Sequence, residues 1–107
     1  MALYGIYGSH TPETCPWNNV EIRKAVLDAA SRFEKPGGFA KYKINKIVGQ
    51  YHSALEHTFL WIVDAEDPHL LQQFAIDGRI ARFNFLKFVP LITFKDVVEG
   101  CRKLGID

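Results

Sequence analysis

Cysteine is scarce in this chain of 107 residues: Cys15 and Cys101 are the only two. Two distant cysteines make no disulfide framework, which excludes a small scaffold stapled by bridges and predicts free thiols in the cytoplasm. Charge of one sign is also lacking. A formal net charge of +1 leaves no electrostatic footprint for nucleic acid or an acidic membrane. No stretch approaches the roughly 20 apolar residues of a membrane span. Met1 to Gly8 lacks a basic segment and a long apolar run, so no signal peptide is expected. Repeats, low-complexity segments and linkers are absent too, and the length leaves room for one core. Residues 1–107 are therefore expected to form a single domain.

What the chain does have is apolar surface. Hydrophobic residues make up 48% and aromatics 13%, eight of them Phe, which is more than one thin core needs. Ala2 to Gly8 reads as a short strand. Asn18 is placed to cap a first helix, with Glu21 three residues on. Ile22, Ala25, Val26, Ala29 and Phe33 then recur at helical spacing. Lys35-Pro36-Gly37-Gly38 ends it. A second strand spans about Tyr42 to His52, with a bulge or an edge position expected near Gly49. A third runs from His57 to Ala65. Asp67-Pro68 opens a second helix and Gly78 closes it. A fourth strand lies within Ala81 to Ile92. Thr93-Phe94-Lys95-Asp96 caps a last helix.

Strand–helix–strand–strand–helix–strand plus a terminal helix is the split βαβ plan, an α+β ferredoxin-like βαββαβ fold with a four-stranded antiparallel sheet. Right-handed crossovers place both helices on one face. The third strand is apolar on both sides, so the helix-free face shows either Phe59, Trp61 and Val63 or Leu60 and Ile62. A contiguous patch of that kind predicts a second copy packed face to face, a dimeric α/β barrel.

This topology gathers reactive side chains. The first and second strands end at one edge, next to His10 and His52, and the third begins there at His57. Four connecting residues, Ser53 to Glu56, would set His52 and His57 opposite each other. The loop carrying His10 and Cys15 lies at the same edge. Neutral imidazole and thiolate suit zinc, iron or copper, so His10, His52, His57 and Cys15 are the candidate metal ligands, zinc being the default. The same four residues are candidate catalytic groups: histidines for acid–base work, Cys15 as nucleophile or redox thiol. The bland alternatives stand beside these. Histidines flank turns, and a cysteine fills a small apolar gap. Phe59, Trp61, Phe83 and Phe85 are candidates to line a cavity between sheet and helices for a small organic ligand.

On its element order and strand character the chain resembles the dimeric α/β-barrel superfamily, which includes muconolactone isomerases and cofactor-free monooxygenases. More narrowly, His10-Thr11-Pro12-Glu13-Thr14-Cys15-Pro16 with Glu56-His57-Thr58 resembles a pattern in small proteins of this class. The resemblance implies a homodimer with an isomerase- or oxygenase-like reaction. A non-catalytic structural or interaction dimer is the alternative. The same element order builds the RNA-recognition motif, but His57 to Ala65 lacks that module's basic-glycine-aromatic strand signature.

Overall fold

The computed structural model describes residues 2–106. The order is β1 (Ala2–Ser9), α1 (Val20–Glu34), β2 (Ile44–Ser53), β3 (Thr58–Ala65), α2 (Pro68–Asp77), α3 (Ile80–Phe83), β4 (Phe85–Leu91) and α4 (Phe94–Leu104), with single 3-10 turns at Pro12–Thr14 and Ala40–Tyr42. The four strands form one antiparallel sheet in the order β2-β3-β1-β4. This is the ferredoxin-like α+β fold, with a C-terminal helix appended.

Local chemistry sets the helix ends. The Asn19 side chain, not that of Asn18, accepts from the amides of Glu21 and Ile22 and starts α1. Asn18 is used instead to brace the preceding loop, donating to the Pro12 carbonyl at 3.0 Å. Asp67 caps α2 through His69 and Leu70, with Pro68 at the first helical position. Thr93 and Asp96 cap α4 reciprocally. The apolar run expected to be one strand begins as a helical turn: Phe83 belongs to α3, and the strand starts at Phe85. A four-residue turn is too short to leave a periodic signature.

Alternation along the strands gives the sheet two faces. Ile6, Phe59 and Val63 are buried and join Leu71 and Phe74 of α2 in the core. That face carries α1 and α2. The other shows Tyr7, Tyr51, Leu60 and Phe85, which share it through the pairs Tyr7–Leu60, Tyr51–Leu60 and Ser9–Phe85. Both sheet edges are irregular. β2 slips register between Ile44 and Lys46 and between Ile47 and Gly49, bulging at Asn45 and Val48. β4, at the opposite edge, contains Pro90.

The hairpin departs from the expected pairing. Ser53 pairs with Thr58 and His52 with Phe59, so the connecting residues are Ala54 to His57 and not Ser53 to Glu56. His52 and His57 do not face each other across the ladder. The cause is the backbone of His57, which takes a left-handed conformation with φ of 55° and leaves the strand. The Ser53 hydroxyl accepts from the Glu56 amide and tightens the same turn.

Candidate metal centre

Three of the four converging residues meet. One ligand atom from each of His10, Cys15 and His57 lies within 4.8 Å of the other two. Each arrives by a different route. His10 follows the last residue of β1, and its amide donates to the His57 carbonyl at 3.0 Å. Cys15 ends the 3-10 turn. Its carbonyl accepts from the amides of Asn18 and Asn19, both at 2.9 Å, which ties it to the start of α1. The left-handed backbone of His57 swings its ring off the sheet and towards His10. The two rings lie 5.4 Å apart between centroids at 65°.

Hydrogen bonding fixes which nitrogen of His10 is free. The Asn84 amide nitrogen donates to the Ile80 carbonyl at 3.0 Å, so its oxygen is the atom that faces His10 Nδ1 at 2.9 Å. An amide oxygen only accepts, so Nδ1 carries the proton and Nε2 presents a lone pair. Among the described residues, His10 Nε2 and His57 Nδ1 are the buried side-chain polar atoms without a hydrogen-bond partner. Two such atoms side by side each cost about 1–3 kcal/mol if nothing binds them. Cys15 is 5% exposed, and its thiol shares this enclosure. An imidazole whose far nitrogen is held by an amide or carboxylate, and whose near nitrogen is bare, has the arrangement of a metal ligand.

His52 is brought close but is engaged otherwise. Its Nε2 accepts from the Trp61 indole at 2.9 Å, and its ring stacks on Phe59 at 5.1 Å. One side of the ring remains exposed. Desolvation on the packed side, and then the neighbouring His10, lower its pKa below the ordinary histidine value. Glu13 is fully exposed. Hydrogen bonds from backbone and from Thr11 hold its carboxyl below the usual range, with His57 contributing least. The acceptor behind His10 is thus Asn84, which composition and spacing did not single out.

A cleft of about 670 Å³ opens beside His10 and Cys15, between α1 and the sheet. Ala25, Ala29 and Ala30 give α1 a shallow side there, and Phe59, Trp61 and Ile47 form the floor. Phe83 lines it from α3. Phe85, expected in the same cavity, lies on the opposite face of the sheet and is 78% exposed, because α3 shifts the start of β4. His10 and Cys15 also line the cleft.

No helix of the structure is long and apolar enough to cross a membrane among the described residues. No protein-family model, curated protein or solved structure matches the chain.

Proposed function

We propose that His10 Nε2, Cys15 Sγ and His57 Nδ1 bind a divalent transition metal, and that the ion holds a small organic ligand in the adjacent cleft. The observation that carries this reading is the pair of buried, unpartnered imidazole nitrogens beside a buried thiol. Zinc is the default because it accepts mixed nitrogen and sulfur donors. Iron or copper suit the same set. Zinc sits about 2.0–2.1 Å from nitrogen and 2.3 Å from sulfur, which puts its ligands about 3.3–3.7 Å apart. Side-chain rotation closes the three atoms by the remaining ångström or so.

Three protein ligands leave a fourth position open, the arrangement of a catalytic rather than a structural zinc site. Bound metal would supply a Lewis acid to polarise a carbonyl or phenolic oxygen. The chain's own residues do the rest. Phe59 and Trp61 hold an apolar body, and His52 on the cleft wall, its Nε2 taken up by the Trp61 indole, presents Nδ1–H as a hydrogen-bond donor. This supports an isomerase- or oxygenase-like reaction in a homodimeric barrel protein of the superfamily that the element order resembles. The free thiols Cys15 and Cys101 support a reducing compartment, the cytoplasm.

Elemental analysis of protein purified without tag or chelator tests the site. About one equivalent of metal per chain is expected, lost in His10→Ala and His57→Ala. Cobalt(II) substitution should give a thiolate charge-transfer band that disappears in Cys15→Ser. Less than about a tenth of an equivalent, even after incubation with zinc or iron(II), would overturn the proposal.

A further inference from the structure

Trp61 and Tyr42 are oxidisable rings on one chain of aromatic contacts, and each holds a base on its one acidic proton. The Trp61 indole donates to His52 Nε2 at 2.9 Å. The Tyr42 hydroxyl donates to the Asp77 carboxylate at 2.7 Å. A single ring joins the two. Trp61 lies 6.3 Å from Phe74 between centroids, and Phe74 lies 5.4 Å from Tyr42. On the other side, Phe59 lies 5.6 Å from Trp61 and 5.1 Å from the His52 ring. The chain starts in the cleft, where His52, Phe59 and Trp61 share the wall with Cys15. It passes through the fully buried Phe74 and ends at Asp77, the last residue of α2, whose carboxylate meets solvent.

Packing explains why such rings touch. It does not explain why both oxidisable ones are paired with a proton acceptor. Burial, and then Asp77, push the Tyr42 hydroxyl up to about 12, so the phenol is neutral and gives up an electron readily only when its proton leaves too. The Tyr42 hydroxyl and then Gln73 hold the Asp77 carboxyl below the usual carboxylate range, so it is ionised and free to accept. An oxidised phenol is a far stronger acid than a carboxylic acid, and an oxidised indole is a stronger acid than imidazolium. Both protons therefore move when an electron does.

We propose that Trp61 and Tyr42 form an electron relay that drains a radical oxidant from the cleft to the surface at Asp77 and spares the Cys15 thiol. The oxidant is an organic peroxyl radical, a class that attacks thiols and indoles alike. It takes one electron from Trp61 and becomes its anion, while the indole proton moves to His52 Nε2. Tyr42 then gives one electron to Trp61 by way of Phe74, and its hydroxyl proton passes to Asp77. The proton on His52 returns to the indole nitrogen. In sum, Tyr42 loses one electron to the peroxyl radical and one proton to Asp77. A phenol that sheds its proton on oxidation holds the radical at lower energy than an indole, which sets the direction. The relay uses no metal, so it stands or falls apart from the metal site.

Tyr4→Phe, Tyr7→Phe, Tyr51→Phe and Trp17→Phe combined in the full chain leave Tyr42 and Trp61 as its only phenol and indole. Flash photolysis of that metal-free protein with a ruthenium(II) polypyridyl photo-oxidant and a cobalt(III) quencher, followed by freezing, should give a tyrosyl radical by electron paramagnetic resonance, although Tyr42 is 6% exposed. Trp61→Phe should reduce the signal to the level of Tyr42→Phe. Asp77→Asn keeps the contact but takes no proton, and should leave a tryptophanyl radical in place of the tyrosyl one. Circular dichroism checks the fold of each variant. With an azo initiator as the peroxyl source, Cys15 should oxidise faster in Trp61→Phe than in the wild type, read by mass spectrometry. No tyrosyl radical with Trp61 present, or an equal one without it, overturns the relay. A tyrosyl signal unchanged in Asp77→Asn overturns the proton transfer, and equal rates of Cys15 oxidation overturn the sparing of the thiol.

Discussion

His10 and His57 are joined twice. The His10 amide donates to the His57 carbonyl at 3.0 Å, and the rings meet edge to face at 5.4 Å. The backbone bond fixes where both rings start, so the two free nitrogens are brought together by main chain and not by side-chain attraction. The arrangement persists because the strand end and the hairpin turn are tied.

The left-handed backbone of His57 carries a cost that glycine would not pay, of order 1–3 kcal/mol for a non-glycine residue. His57→Gly also removes a buried nitrogen without a partner. The variant should be more stable than the wild type in the absence of metal, by about 1 kcal/mol, or roughly 4–8 °C in Tm. It should gain nothing from added zinc, whereas the wild type should. Calorimetry with and without zinc reads both effects. A variant that melts lower than metal-free wild type would show that the turn is not strained.

Asn84 orients His10 without touching the ion. Asn84→Leu removes the acceptor at Nδ1, frees the imidazole to change tautomer, and should weaken metal affinity about 10–100-fold. Asn84→Asp keeps an acceptor and should restore most of it. Competition with a chromophoric chelator gives the affinities. Equal loss in both variants would mean that the residue serves only to end α3.

His52 makes stability depend on pH. Burial against Phe59 and Trp61 lowers its pKa in the folded state, so the unfolded chain binds the proton more tightly. Its stabilising contribution is present above the unfolded value of about 6.5 and is lost as pH falls through the lower folded value. The exposed side of the ring keeps the effect small. Urea denaturation of metal-free protein at stepped pH should show this slope, and His52→Gln should flatten it. A slope of the opposite sign would mean that the ring is held protonated.

Gly8 makes room for Phe59. A Cβ at position 8 would overlap the Phe59 ring, and Phe59 is a buried core residue on which His52 stacks. Gly8→Ala should cost about 1–3 kcal/mol through overpacking. Phe59→Leu in the same chain should recover part of that loss, so the two changes should be non-additive in a double-mutant cycle. Additive losses would place the cost in the backbone instead.

Much of this was legible before the structure was known. Asp67-Pro68 and Gly78 bound α2 because cap chemistry is local, and the Thr93–Asp96 box is read the same way. The order of elements fixes the shared edge that brings His10 and Cys15 near the hairpin. What could not be read was register. Alternation from His57 to Val63 is equally good whether His57 opens the strand or closes the turn, and only its left-handed φ decides. Asn84 was hidden for a related reason. Between Phe83 and Phe85 it looks like one polar step of a strand, and its role depends on a helical turn too short to show a period.

The irregular edges of the sheet have a consequence for how chains add to one another. A fifth strand pairing with β2 would meet gaps at Asn45 and Val48, where the ladder is broken. One pairing with β4 would meet Pro90, which has no N–H to offer. Neither border can template its own continuation, so growth by strand-on-strand propagation, the route into fibrils, stalls on both sides of the molecule.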